Sequence, residues 1–335
     1  MKILITGGGG FLGQQVAAAL LARKDVSEII LLDIAAPAMG VSDAGVSDAG
    51  VSNAGVSNAR VRFVKGEVSD AAALKLLVGA GFDGIFHLAA VVSGQAEADF
   101  ELGMRVNLDG TRNVLEACRA LHAATGKAPK LLYASSIAVF GTPLPDVITD
   151  ATTPTPQASY GVQKLIGEWL VADYHRKGFI DGRAVRIPTV SVRPGKANAA
   201  ASSFASAVIR EPLNGIDYGC PVPPETLMWM CGPRAVVANL VRAFDLPSEA
   251  WGVLRAVSLP GIVVSVEEMV ASLRKLGGEK AAKRVSFIKD ERIAAIVKTW
   301  AAKLETPRAL SMGFTASHSM DQIVAEYIED EGIRV

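Results

Sequence analysis

Cysteine is scarce in this sequence, with three in 335 residues at positions 118, 220 and 231. An odd and widely spaced set builds no disulfide framework and matches no metal-binding spacing, so it fits a reduced compartment. Cys118 falls in a helical pattern and is expected in the core. Histidine is as thin. His122, His175 and His318 lie in separate segments with no ligand partner, and no metal centre is expected. His87 closes an apolar strand pattern and reads as a structural or cofactor-shell residue. An excess of either charge is missing too, with 34 Lys+Arg against 34 Asp+Glu. That balance excludes a nucleic-acid face and a polybasic membrane patch. No apolar run approaches the ~20 residues of a membrane span. The strand pattern starts at the second residue, with no basic region or cleavage site before it. The expectation is a soluble cytoplasmic protein with neither nucleic-acid nor membrane partners.

What the chain does have is a glycine turn between a strand and a helix. Ile3, Leu4 and Ile5 form a short apolar run, as a fully buried parallel strand does. Gly7, Gly10 and Gly13 follow at three-residue steps, and Phe11, Leu12, Val16, Leu20 and Leu21 then recur at helical spacing. Backbone N–H groups free of side chains, at the positive end of a helix, suit a diphosphate. The supporting context is a second strand ending in an acid, and Ser27 to Leu32 followed by Asp33 supplies it. Gly7, Gly10, Phe11, Leu12 and Gly13 are therefore candidate cofactor contacts.

Further strands are expected at 61–65, 84–88, 130–134 and 182–188. Helices are expected at 71–78, capped by Asp70 or Ser69, and at 97–124 and 159–177. Such alternation predicts an α/β fold, a doubly wound parallel sheet of Rossmann type, whose ligands sit at the carboxyl ends of the strands. Half of the residues are hydrophobic, enough for one large core and a smaller lobe. Residues 1–190 are read as the dinucleotide-binding domain. Prolines 194, 212, 221, 223, 224 and 233 then break the chain into an irregular substrate lobe, 191–335, with some chain returning to the sheet. Short helices are expected there at 200–210, 234–245, 266–276, 290–304 and 319–329. Between the second and third strands a five-residue unit, Gly-Val-Ser-Asp/Asn-Ala, repeats four times over 40–59. That period matches neither helix nor strand and predicts a surface loop.

Asp33 can accept hydrogen bonds from an adenosine ribose and would repel a 2′-phosphate, which favours NAD over NADP. Glu67 and Val68, beyond the third strand, are placed to meet the adenine. Tyr160 and Lys164 stand four apart, on one face of a helix. Free tyrosine titrates near 10, so it serves as a base only where a cation stabilises the phenolate. Lys164 is such a cation, and can also hold the nicotinamide ribose. Ser135 and Ser136 close the fifth strand, where a hydroxyl can bond a reacting oxygen.

Taken in order, Thr-Gly-Gly-Gly-Gly-Phe-Leu-Gly at 6–13, Asp33, Phe-His-Leu-Ala-Ala at 86–90, Val-Asn-Leu-Asp-Gly-Thr at 106–111, Ser-Ser at 135–136 and Tyr-x-x-x-Lys at 160–164 resemble the extended short-chain dehydrogenase/reductase superfamily, which includes nucleotide-sugar epimerases and dehydratases. The motifs cover residues 1–195. The resemblance implies an NAD cofactor and a catalytic set of Ser136, Tyr160 and Lys164. It implies that Asn107 supports the lysine through water, that Leu88, Ala89, Ala90 and Ser135 border the cofactor, and that Pro188, Thr189 and Val190 line the nicotinamide. It also implies a homodimer paired through helices 97–124 and 159–177. After the sixth strand, residues 186–204 and 228–234 depart from the sugar-nucleotide pattern. They resemble the branch that oxidises carbon 2 of a four-carbon sugar acid, D-erythronate. Such a substrate needs one cation for its carboxylate and several hydroxyl-bonding groups. Arg193, Lys196 and Arg234 are the cation candidates; Ser93, Asn198, Ser202 and Ser203 are polar ones. Ser136, Tyr160 and Thr189 complete the expected substrate set. A nucleotide-sugar epimerase or dehydratase with tightly held NAD, and a non-catalytic NAD sensor, remain the competing readings.

Overall fold

The structure is a computed structural model, and it describes residues 1–37, 59–195 and 201–334. The repeat expected at 40–59 lies, but for its last residue, outside the described residues. The amino-terminal part alternates strand and helix. It runs β1 (Lys2–Thr6), α1 (Phe11–Leu21), β2 (Glu28–Asp33), β3 (Val61–Lys65), α2 (Ala71–Gly79), β4 (Gly84–His87), α3 (Ser93–Ala98), α4 (Phe100–Gly103), α5 (Gly110–Thr125), β5 (Lys130–Ser136), α6 (Ser159–Arg176) and β6 (Asp181–Ile187). These strands form one parallel sheet in the order β3-β2-β1-β4-β5-β6, extended at its far edge by a later strand, Ala256–Ser258. The order reverses between β1 and β4, the switch point at which doubly wound sheets bind ligands.

Ile3, Leu4 and Ile5 show how the run of apolar residues becomes the centre of the sheet. All three are fully buried. Successive strand side chains point to opposite faces. Ile3 and Ile5 accordingly join the core that includes Val16 and Leu20 of α1. Leu4 joins the other, with Leu74 and Val78 of α2 and Val114, Leu115 and Cys118 of α5. Strand β3 matches the expected 61–65, and Asp70 caps α2 by accepting from the Ala73 N–H at 2.9 Å. The helix expected over 97–124 is interrupted. Asp99 is extended and caps α4, and a wide π-type turn, Met104–Asp109, precedes α5. That turn projects Asn107 toward the end of β4.

Beyond β6 the chain adds β7 (Thr189–Val190), α7 (Phe204–Leu213), β8 (Tyr218–Cys220), β9 (Leu227–Cys231), α8 (Pro233–Asp245), β10 (Ala256–Ser258), β11 (Ile262–Ser265), α9 (Val266–Ala282), β12 (Val285–Phe287), α10 (Glu291–Val297), α11 (Pro307–Ser311) and α12 (Met320–Asp330). Strands β11, β9 and β7 form a small sheet and β12 pairs with β8. A separate core gathers Val192, Phe204, Met230, Met269, Leu273, Ile323 and Tyr327. The short strands were not legible as a pattern, because two to five residues give too little alternation to stand out. The helix expected over 290–304 stops at Val297. Ala301 and Leu304 instead join Val139, Phe140 and Ile148 in an apolar cluster, and Leu304 bridges to Ile148 in extended form. Among the described residues no helix is long and apolar enough to cross a membrane.

Helix α8 and strand β10 return to the large sheet. Arg183 of β6, fully buried, ties α8 down by donating to the carbonyls of Ala243 (3.2 Å), Phe244 (3.0 Å) and Leu246 (2.7 Å), while pairing with Asp181. One guanidinium thus answers the unsatisfied carbonyl end of a helix. Replacing it by Met removes the guanidinium from the Ala243 and Leu246 carbonyls and leaves Phe244 only the longer contact with Lys130, 3.4 Å. Arg183→Met is expected to cost about 3 kcal/mol of unfolding free energy in urea titration, against under about 0.5 kcal/mol for the exposed Arg176→Met.

Candidate active site

The loop after β1 is built for close approach. Gly7 has φ +73°, and a Cβ there would stand 2.7 Å from the Ala89 backbone nitrogen. A side chain on Gly13 would overlap the Gly7 carbonyl. Bare backbone therefore lets the loop, the segment Leu88–Ala90 after β4 and the first turn of α1 meet. Gly10 precedes α1 with no side-chain cap, and the first turn holds no acid, so the N–H groups opening the helix are left for an anion. Asp33 is fixed from the same loop. Its carboxylate accepts from Gly9 N–H at 2.9 Å and from Ala35 N–H at 3.3 Å. The next Lys or Arg after Asp33 is Arg60, which donates to the carbonyls of Leu21, Arg23 and Val26. A side-chain-free cradle, an uncapped helix and an acid at the end of β2 fit the adenosine diphosphate half of a dinucleotide.

Val68 is buried and packs on Gly110, whereas Glu67 is exposed and accepts from the Ser69 hydroxyl. Asn113, which sequence reasoning missed, donates to the carbonyls of both Val68 and Ser69 at 3.1 Å. His87 lies at the centre of a dry chain. Thr111 Oγ1 donates to the Asn107 carbonyl (2.7 Å), so it accepts from His87 Nε2–H (3.0 Å). His87 Nδ1 then accepts from the Thr6 hydroxyl at 2.7 Å. Burial, with the Lys164 charge adding to it, pulls His87 down to about 3. It is a neutral strut between β1, β4 and α5. Asn107 is buried as well. Its amide bonds the Val91 backbone in both directions and donates to Gln163 Oε1 at 2.8 Å, tying the π-type turn to α6.

Ser136 ends β5 and Tyr160 lies in the first turn of α6. Gly161 brings them together, because any larger residue would strike the Ala138 carbonyl in the turn that follows Ser136. The Ser136 hydroxyl accepts from Ala138 N–H at 3.1 Å and hydrogen-bonds the Tyr160 phenol. Burial pushes the phenol up to about 12, while the Ser136 bond and the Arg193 charge pull it down. Lys164, 2% exposed, donates to the Ala134 carbonyl at 2.7 Å. Its ammonium stands 4.8 Å from the Tyr133 ring centre and 5.6 Å from that of Tyr160. Burial pulls Lys164 down to about 7, opposed by Glu168. Ser135 turns the other way from Ser136, and its buried hydroxyl is bonded to Glu168.

Pro188 is buried, and Thr189 and Val190 pair with Met230 and Cys231, so β7 joins the smaller sheet to the end of β6. Ser93 opens α3, half-buried. Arg193 is half-buried, and its charge favours ionisation of the Tyr160 phenol. Among the described residues no carboxylate pairs with its guanidinium. Its backbone is anchored by Ser206 and by Arg210, the latter donating to the Arg193 carbonyl at 2.9 Å. Arg234, by contrast, is an exposed end-of-helix residue paired with Glu329 and Asp330. Ser202 and Ser203 lie half-buried in a short turn before α7. Lys196 and Asn198 lie outside the described residues. Glu168, Arg186, Asn113 and Arg210 were missed. For Glu168 a signal existed, since it continues the four-residue spacing of Tyr160 and Lys164.

Comparison with known proteins adds names to this geometry. The family described as "NAD dependent epimerase/dehydratase family" matches residues 3–232. A curated D-erythronate dehydrogenase of Cupriavidus necator is 48% identical, with 99% of each chain covered. One of Haemophilus influenzae is 40% identical over 98% of this chain and 99% of its own. A crystal structure described as a nucleoside-diphosphate-sugar epimerase of Agrobacterium tumefaciens superposes with TM-score 0.89 at 39% identity, covering 100% of this chain and 95% of that one. The cradle after β1, the Ser136–Tyr160–Lys164 cluster and these matches agree: the chain belongs to the NAD-dependent epimerase/dehydratase family and is built to use a nicotinamide cofactor.

Proposed function

We propose that the protein oxidises the C2 hydroxyl of D-erythronate with NAD, yielding 2-dehydro-D-erythronate, NADH and a proton. The observation that carries the reading is Arg193, a half-buried guanidinium whose charge acts on Tyr160 and which, among the described residues, pairs with no carboxylate. In a 2-hydroxy acid the carboxylate and the reacting carbinol are adjacent. A cation beside Tyr160 therefore selects the carbon next to the acid as the one oxidised. The two D-erythronate dehydrogenases similar to this chain support the same substrate.

Gly7, Gly10, Phe11, Leu12 and Gly13 would hold the diphosphate, Asp33 the adenosine ribose, and Lys164 the nicotinamide ribose, with Pro188 and Val190 beside the carboxamide. The carboxylate of Asp33, with no cation in the 26 residues that separate it from Arg60, favours NAD over NADP. When bound, NAD supplies the hydride acceptor and a positively charged ring. Tyr160 takes the C2 hydroxyl proton, Ser136 donates a hydrogen bond to that oxygen, and Lys164 and Arg193 provide the positive field that favours the phenolate. Residues 1–190 form the cofactor side and 191–335 the substrate side in this reading, with Thr189 and Arg193 at the join. We read the enzyme as cytoplasmic, consistent with three buried cysteines that remain free thiols.

The decisive measurement is NADH formation at 340 nm with D-erythronate and other C4 to C6 sugar acids. Tyr160→Phe is expected to lower kcat by about 10²- to 10⁴-fold, with NAD affinity retained. Arg193→Met is expected to raise KM for the acid about 10- to 100-fold and to leave KM for NAD unchanged. Silence with every acid, together with interconversion of a UDP-sugar on tightly retained cofactor, would restore the epimerase reading.

We propose further that two copies pair through the segment 97–124, which holds α4 and α5, and through α6. Val162, Ile166 and Trp169 form an exposed apolar stripe on α6, 42%, 37% and 64% accessible, and Phe100 is 56% accessible. A contiguous stripe of this kind suits an isologous contact. Sedimentation is expected to show a dimer that Trp169→Glu converts to monomer; a wild-type monomer at micromolar concentration would refute the pairing.

A further inference from the structure

Helix α6 carries Tyr160, Lys164 and Glu168 at four-residue steps, along one face. The first two belong to the proton machinery. Glu168 has no part in it, yet the carboxylate is 5% exposed and fully engaged. Its Oε1 accepts from the Ser135 hydroxyl at 2.5 Å and from Arg186 Nε at 2.9 Å, and Oε2 accepts from Arg186 Nη2 at 2.8 Å. Ser135 and Arg186 face each other across β5 and β6, and the Arg186 guanidinium stacks 5.0 Å from the Phe140 ring centre. Two strands and the catalytic helix are thus clamped at one point, directly beside Ser136.

A buried bidentate pair is weak as a source of stability, since its desolvation offsets most of its attraction. Its position suggests an electrostatic use. The groups facing Lys164 are the Tyr133 phenol and Ala134 carbonyl of β5, the Tyr160 phenol of α6 and neutral His87 of β4. Arg186 of β6 stands behind Glu168, and Arg193 lies toward Tyr160. Among the described residues that act on Lys164, Glu168 is the only anion.

We propose that Glu168 is a positioning residue, clamped by Ser135 and Arg186 one turn beyond Lys164, whose carboxylate favours the ammonium form of that buried lysine. The proposal rests on the reading of Tyr160 and Lys164 as the proton machinery. A tyrosine base needs a charged neighbour, and burial drives the proton off a lysine. The clamp supplies the compensating charge from inside the fold, and the two side chains that hold it also hold β5 and β6 in register with α6.

The test is a pH titration of Lys164 in the full-length protein without substrate, followed by ¹⁵Nζ lysine NMR with Lys164→Met as the assignment control. Glu168→Gln, equal in shape, is expected to move the Lys164 midpoint down by at least one pH unit, a tenfold change in its proton affinity. The alkaline fall of kcat should begin at a correspondingly lower pH. Ser135→Ala, which removes one hydrogen bond but no charge, is expected to leave both midpoints near wild type. Should Glu168→Gln not fold, the double variant Glu168→Gln/Arg186→Met, which strands no buried charge, is to be compared with Arg186→Met alone, and its Lys164 midpoint must lie lower than that of the single variant. An unmoved Lys164 midpoint in whichever variant folds, with kcat lowered equally at every pH, would reduce Glu168 to a structural residue and overturn the proposal. Because the lysine is read without substrate, a wrong substrate assignment would show as silence with sugar acids while this titration still decides the role of Glu168.

Discussion

The contact on which the site depends is the burial of one face of α6 against the end of β5. Lys164 reaches the Ala134 carbonyl at 2.7 Å, and Gly161 sits against the turn that follows Ser136. That docking puts a half-buried phenol, a half-buried hydroxyl and a buried ammonium at one strand end. In bulk water an ammonium a few ångströms from a phenol would alter it little. In a dry environment the same charge acts strongly. The chemistry follows from the packing, because the packing excludes the solvent that would screen it.

The rest of the sheet edge is organised to hold that contact still. Thr6, His87 and Thr111 form a proton-ordered chain across β1, β4 and α5. Asn107 continues it to the loop after β4 and to Gln163 on α6. The strand that leads into the glycine cradle and the helix that carries Tyr160 and Lys164 are therefore linked through five neutral polar side chains, Thr6, His87, Thr111, Asn107 and Gln163. None of them is charged, so the link adds no field of its own. Rigid placement comes from hydrogen bonds and the field comes from the few ions left near the reacting atoms.

Much of this was legible in the sequence. The glycine spacing, the acid at the end of β2, and the Tyr160–Lys164 pair stand close together in the chain or recur at fixed intervals, and period is what a sequence displays directly. Arg193 was one of three cations offered for a carboxylate, and only position in space separated it from Arg234, which is paired with Glu329 and Asp330. Ser135 was expected beside the cofactor and Ser136 in the catalytic set; strand alternation turns Ser136 toward Tyr160 and bonds the buried Ser135 hydroxyl to Glu168. Glu168 and Arg186 were overlooked because their meaning lies in a contact between distant segments. The small strands β7 to β12 were lost for another reason, since their length gives no alternation to read.

The site also works against the fold that builds it. A lysine titrating near 10.4 in the unfolded chain and near 7 when buried binds its proton less tightly in the native state. Its contribution to stability is therefore unfavourable at and below neutral pH, and this penalty fades as pH rises from about 7 through the unfolded value. Arg193 likewise keeps a cation half-buried beside another, Arg210, with burial and that neighbour both disfavouring the charge. Neither arrangement would survive selection for stability alone. Both become intelligible once an anionic substrate group is expected at Arg193 and a developing phenolate at Tyr160, since each is opposite in charge to the cation it would meet. The local electrostatic cost in the free chain is the counterpart of the stabilisation available when the reacting groups are in place.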